Sequence, residues 1–179
     1  MTISRVVLCG LLFVTAPCAF GANTQNATVK LWTVDAHGDF VRYVTHGNTV
    51  HGHELGFIKK AGHCNGDILW ISWSTYKKGL KAYEGTNATF RFHTGKTSFS
   101  LPLPLLSTFN FKHLLTAAAF TNFAVNGRFI TLLKGHDAID LIIAGPKKLA
   151  DRFDVHQDSF SLMGFAQARD DAKAMCQKL

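Results

Sequence analysis

The chain is poor in charge, in proline and in cysteine. Asp, Glu, Lys and Arg make up only 17% of its 179 residues while 47% are hydrophobic, a balance that excludes a disordered chain. With four prolines and no Pro-, Gly- or Ser-rich stretch there is no linker, and the length suits one domain rather than two. Beyond the N-terminus no apolar run approaches the ~18 residues of a spanning helix, and Ala138 to Ala144 is interrupted by Asp140, so no transmembrane helix is expected in the mature chain. Catalytic signatures are missing too. There is no Gly-x-Ser-x-Gly elbow. His53-Glu54-Leu55-Gly56-Phe57 begins like a zinc-protease helix, but Phe57 stands where the second imidazole must be. His93-Thr94-Gly95-Lys96-Thr97 is like the end of a phosphate-binding loop, but Phe90 occupies the place of its first glycine. His63 and Cys64 are adjacent, so on a strand they point to opposite faces and form no dyad.

What is present begins with an export signal. Arg5 precedes an apolar run from Val6 to Ala16, and small residues follow at Ala19, Gly21 and Ala22. That is the layout of a secretory signal peptide over residues 1–22, with cleavage after Gly21 preferred because Ala19 then meets the small-x-small rule. Thr15 and Pro17 depart from a lipoprotein box around Cys18. The expected location is periplasmic or secreted, with residues 23–179 as a single β-rich domain.

Loss of the signal removes Cys9 and Cys18 and leaves Cys64 and Cys176. Two cysteines in an oxidising compartment are the simplest case for one disulfide. Neither has the C-x-x-C spacing of a redox or zinc site.

The periodicity is mainly that of strands. Val29–Val34, Asp39–Val44, Leu55–Ile58, Asp67–Tyr76, Lys81–Tyr83, Ala88–Phe92 and Ser98–Leu103 read as extended, with Asp67–Tyr76 apolar on both faces and therefore central. Residues 23–28 read as a loose lead-in. Pro102 and Pro104 mark an edge or exit. The three-alanine run within Phe111–Phe123 favours helix. Asn126-Gly127 is a hairpin signal, Arg128–Leu133 and Ala138–Ala144 read as strands, and Asp151–Leu162 as extended. Gly164–Gln177 reads as a closing helix whose stripe of Phe165, Ala168, Ala172, Met175 and Cys176 turns Cys176 inward. The fold expected is mainly β: an antiparallel sandwich or barrel-like domain with a C-terminal α-helix.

Three features bear on function. The net charge of +7 is carried by dispersed Lys and Arg residues, which is a solvated surface rather than a nucleic-acid footprint. His37, His46, His51, His53 and His63 are crowded together, and His51-Gly52-His53 places two imidazoles on one face if extended, so His51 and His53 with His46 or His63 are candidate ligands for a transition metal. Trp32, Trp70 and Trp73 with Phe90, Phe92 and Phe99 are either core or a stacking platform for sugars or bases.

The segment Phe160-Ser161-Leu162-Met163-Gly164-Phe165-Ala166-Gln167-Ala168, with Cys176 after it and Trp32-Thr33-Val34 near the start, resembles small exported bacterial proteins of the invasion-associated locus B type. The extra early cysteines of that family are missing and the His-rich loop is foreign to it. The resemblance implies a periplasmic or surface β-sandwich linked to host interaction, with no catalytic residues to carry over. The reading is thus a non-enzymatic exported interaction protein whose partner is a protein or envelope component. The alternatives are a histidine-based metal-binding protein and an envelope hydrolase whose site forms only in the fold.

Overall fold

The computed structural model describes residues 26–29, 31–111, 115–122 and 125–179. Residues 1–22, read from the sequence as a signal peptide, lie outside the described residues. The rest is mainly β, with a C-terminal helix, as expected. Ten strands form one antiparallel sheet in the order β1-β2-β3-β4-β5-β8-β7-β6-β9-β10. They are β1 Asn26–Val29, β2 Trp32–His37, β3 Phe40–His46, β4 Glu54–Lys60, β5 Ile68–Thr75, β6 Asn87–Thr94, β7 Thr97–Phe111, β8 Leu115–Asn122, β9 Ala138–Gly145 and β10 Gln157–Ser161. The helices are α1 Gly127–Lys134, α2 Lys147–Ala150 and α3 Phe165–Cys176.

β7 joins two layers, one of β1–β5 and β8, the other of β6, β9 and β10. Its first half pairs with β6, from Thr94↔Thr97 to Asn87↔Pro104, and its second half pairs with β8. Pro102 and Pro104 therefore stand where β7 has a partner on one side only, the position a residue without an N–H tolerates. The β3 side of the sheet approaches its last strand: Gly47, just after β3, bridges to Phe160 of β10. Trp73 of β5 meets Phe90 of β6 and Phe160 of β10 at 5.9 and 6.2 Å between ring centres, and Phe90 meets Phe120 of β8 edge-on at 4.9 Å. These rings are fully buried. Nothing polar on them needs a partner except the Trp73 indole, which donates to the Val155 carbonyl at 2.7 Å.

α3 covers β2–β4, with Phe165 packed on Trp32 and Phe57 at 5.3 and 5.5 Å. Of the stripe read from the sequence, Phe165, Ala168, Ala172 and Cys176 are buried and Met175 is partly so. Cys176 forms a disulfide with Cys64, at a sequence separation of 112.

Several local expectations are corrected. Residues 26–29 form a strand paired with β2 rather than a loose lead-in. The alanine run is strand, not helix: Ala117, Ala118 and Ala119 pair with Ser74, Trp73 and Ser72 of β5. Helix propensity gives way there because the segment lies between two strands that need its backbone groups. Arg128–Leu133 is helix, not strand. Asn126, read as a hairpin residue, is its N-cap and accepts from the Phe129 N–H at 2.9 Å. Leu80–Tyr83 is a single 3-10 turn. Only residues 157–161 of the expected extended stretch 151–162 are strand.

Candidate functional site

Three places gather polar groups. The first is under α3. Asp67 receives the Tyr43 hydroxyl at 2.6 Å, the Lys59 ammonium at 2.6 Å, and both Nε and Nη2 of Arg169 at 2.9 and 2.8 Å. Lys59 also donates to the Gly66 carbonyl at 3.1 Å. Burial pushes the Asp67 carboxyl up, but the three donors outweigh it and hold it below its usual range. Burial lowers the Lys59 pKa, and burial together with the Asp67 charge raises that of Tyr43 far above normal. One carboxylate holds two cations and a phenol, and Asp67 and Lys59 are buried, so the cluster fastens α3 and the β4–β5 loop to the sheet.

The second is around His53, whose ring is fully buried and stacked on Trp73 at 4.0 Å. Its Nδ1 is 2.9 Å from the Asp158 carboxylate and its Nε2 is 3.2 Å from the Ser74 carbonyl. Ser74, His53 and Asp158 are the residue types of a hydrolase triad, but the arrangement is not one. The imidazole faces the Ser74 carbonyl, while the Ser74 hydroxyl donates to the Gly52 carbonyl at 2.7 Å. Burial lowers the His53 pKa against the opposing pull of Ser74 and Asp158. Burial raises that of Asp158, and the N–H groups of Thr49, Val50 and Ser159 with His53 more than reverse it, leaving it below normal.

The four candidate metal ligands separate. His53 is spent on Asp158. His63 is exposed in the β4–β5 loop, at the other end of β4. Only His46 and His51 come together, with ring centres 4.2 Å apart and His46 Nδ1 donating to the His51 carbonyl at 3.0 Å. Among the described residues no three His, Cys, Asp or Glu side chains converge on a point. No family model, curated protein or solved structure matches the chain.

The third place is open to solvent. It is a groove of about 430 Å³ across the outer face of β3, β4, β5, β8 and the second half of β7. The register explains its shape. Gly56, Trp70 and Thr121 share one row, Glu54, Ser72 and Ala119 the next, and Ser74, Ala117 and Phe109 a third. Small residues thus make the floor. Of these small residues Ser72, Ser74 and Ala117 line the groove, with Gly52 beside them. The walls are larger. Trp70 is half-buried, and Phe109 and Phe111 remain 47% and 55% exposed. Arg42 spans from Asp35 to Glu54 at 3.5 and 3.3 Å, and His46 and His51 close one end.

Phe109 and Phe111 reach this face through a bulge. Leu105 is opposite Phe120 and Ser107 is opposite Ala119, so Leu106 is the extra residue. Were Leu106 paired in regular register, residues 107, 109 and 111 would point inward with Leu105. Of the aromatics singled out in the sequence, Trp32, Trp73, Phe90 and Phe92 are core, and Phe99 is partly buried against it. Only Trp70 stands in the groove. Phe109 and Phe111 were not singled out, because a bulge leaves no mark in the period-2 pattern except the unusual length of the strand.

Proposed function

We propose that the chain acts outside the cytoplasm as a non-enzymatic interaction protein that holds a saccharide chain of an envelope or host surface in this outer groove. The observation that carries the reading is the placing of Trp70, Phe109 and Phe111 around a floor of small residues, with Arg42, Glu54, His46 and His51 at its margin. Rings offer flat apolar faces to the C–H side of a sugar, and ion-paired and imidazole groups offer donors and acceptors to its hydroxyls. Exposed large rings on one sheet face otherwise invite aggregation, which is a cost without a partner. The signal-like N-terminus, the disulfide and the resemblance to exported proteins of the invasion-associated locus B type support the location. The burial of both polar clusters supports binding over catalysis.

The test is calorimetric titration of the mature protein with envelope polysaccharide fragments and with host-type glycans. Saturable binding that Trp70→Ala weakens about tenfold or more supports the reading. Because Trp32 and Trp73 are fully buried, a change in tryptophan emission on binding reports Trp70. Turnover on a hydrolase panel, or no glycan bound by the intact protein, overturns it.

A further inference from the structure

A second pocket, of about 310 Å³, opens at a different place, where α1 lies against the first half of β7. Its lining is apolar on both sides. Leu69 from β5, buried, contributes to it together with Phe99 and Leu101 from β7 and with Phe129 and Leu132 from α1. The rings hold the pocket's shape. Phe129 meets Phe99 and Phe92 edge-on at 5.6 and 5.8 Å, and Phe92 stacks flat on Phe99 at 5.0 Å. The remaining side is positive. Arg128 lines it, is exposed, and makes no ion pair among the described residues. No Asp or Glu lines the pocket, and none stands in the first turn of α1, whose N-cap Asn126 is also there. The helix therefore adds its positive end to the Arg128 charge with no carboxylate to neutralise either.

The geometry points to a binding site for a single medium-length acyl chain ending in a carboxylate, with the chain on Leu69, Phe99 and Leu101 and the carboxylate on Arg128. The volume is at the lower end of the ~300–1,000 Å³ of ligand sites, which suits one short chain and leaves no room for a two-chain lipid or a sterol. An apolar body with a cation at its mouth selects an amphiphilic anion over a neutral sugar, so this site is independent of the outer groove. Two sources share the chemistry: a free fatty acid and an acyl chain presented by a membrane.

The experiment titrates the mature full-length protein with decanoate, with decanol, and with vesicles of anionic phospholipid, following displacement of anilinonaphthalene sulfonate and checking stoichiometry by native mass spectrometry. Saturable one-to-one binding of decanoate is expected. Arg128→Gln should weaken decanoate about tenfold while leaving decanol unchanged, the signature of a lost charge-assisted bond. Leu132→Trp should fill the pocket and remove both ligands, and Leu101→Trp serves the same purpose if the first variant does not fold. No saturable decanoate binding, equal effects of Arg128→Gln on acid and alcohol, or undiminished binding in the filled variants would each overturn the assignment, while vesicle binding that decanoate displaces supports it with a membrane as the source.

Discussion

His53 Nδ1 and Asp158 Oδ2 lie 2.9 Å apart with both side chains fully shielded from water, and they come from segments far apart in the sheet order. His53 closes the β3–β4 connection, and Asp158 is on β10. The same carboxylate accepts the N–H groups of Thr49 and Val50 at 2.8 and 2.9 Å, while the Asn48 N–H bonds to the Ser159 carbonyl at 2.9 Å. One buried acid thus ties the two layers at their open seam. Its neighbourhood is tight enough that a Cβ on Gly47 would collide with it.

Asp158→Ala should therefore destabilise the domain by about 3–5 kcal/mol, because it strands three N–H donors and a buried imidazole at once. Asp158→Asn keeps an acceptor of the same shape and should cost clearly less. Urea unfolding compares the two. A change below ~1 kcal/mol for the alanine variant would mean that the clasp is not what holds the seam.

Acid should weaken the fold in two stages. His53, Asp67 and Asp158 all have folded-state pKa values below their ordinary ones. For each, the unfolded chain binds protons more readily, so stability rises with pH. Coming down from neutral pH, the first loss begins near the ordinary imidazole value of about 6.5, as unfolded His53 gains a proton that burial withholds in the fold. The larger loss follows below about pH 4, when Asp67 and Asp158 are driven to protonate. Urea midpoints between pH 3 and 8 should fall monotonically with acid; a maximum near pH 5 would contradict the depressed His53.

The disulfide closes most of the described chain. Replacing Cys64 and Cys176 together by Ser should cost roughly 4–5 kcal/mol through the unfolded chain's regained freedom. The folded structure should change little, because Arg169 still fastens α3 to Asp67. Comparison of denaturant midpoints with and without reductant checks it, and an equal midpoint in both would show the bond absent or idle.

Asp67→Asn should be worse than Lys59→Met. The first leaves the Lys59 ammonium, 1% exposed, beside Arg169 with no counter-charge, a cost of about 3–5 kcal/mol. The second removes one buried charge and leaves Asp67 with Tyr43 and Arg169, so the remaining groups stay satisfied. The order of the two thermal midpoints is the measurement; the reverse order would refute the assignment of Asp67 as the hub.

Much of this architecture is legible in the sequence because burial and period agree. β5 reads as central, and it is: Leu69, Ile71, Trp73 and Thr75 are buried beneath, and β4 and β8 flank it. α3 reads correctly because its apolar stripe and Cys176 coincide. Where local signals disagree with the environment, the reading fails. Ala117–Ala119 has helical propensity, but small side chains suit a position between Trp73 below and the groove floor above. Arg128–Leu133 looks extended through Ile130 and Thr131, although Phe129, Ile130 and Leu133 already have helical spacing. His53 could not be placed, since its burial depends on Asp158, distant in sequence.

Phe109 and Phe111 give the sharpest separation between stability and recognition. Both are about half exposed and point away from the core, so replacing both by Ser should shift stability by no more than about 0.5 kcal/mol per site. Phe120, on the neighbouring strand, is fully buried, and Phe120→Ala should cost about 3–5 kcal/mol. A glycan in the groove reverses that ranking: the Phe109 and Phe111 double variant should lose affinity tenfold or more while unfolding like the parent, since stacking faces carry most of the contact. A marked loss of stability in the double variant would instead make these rings part of the fold, and the bulge at Leu106 a packing device with no part in binding.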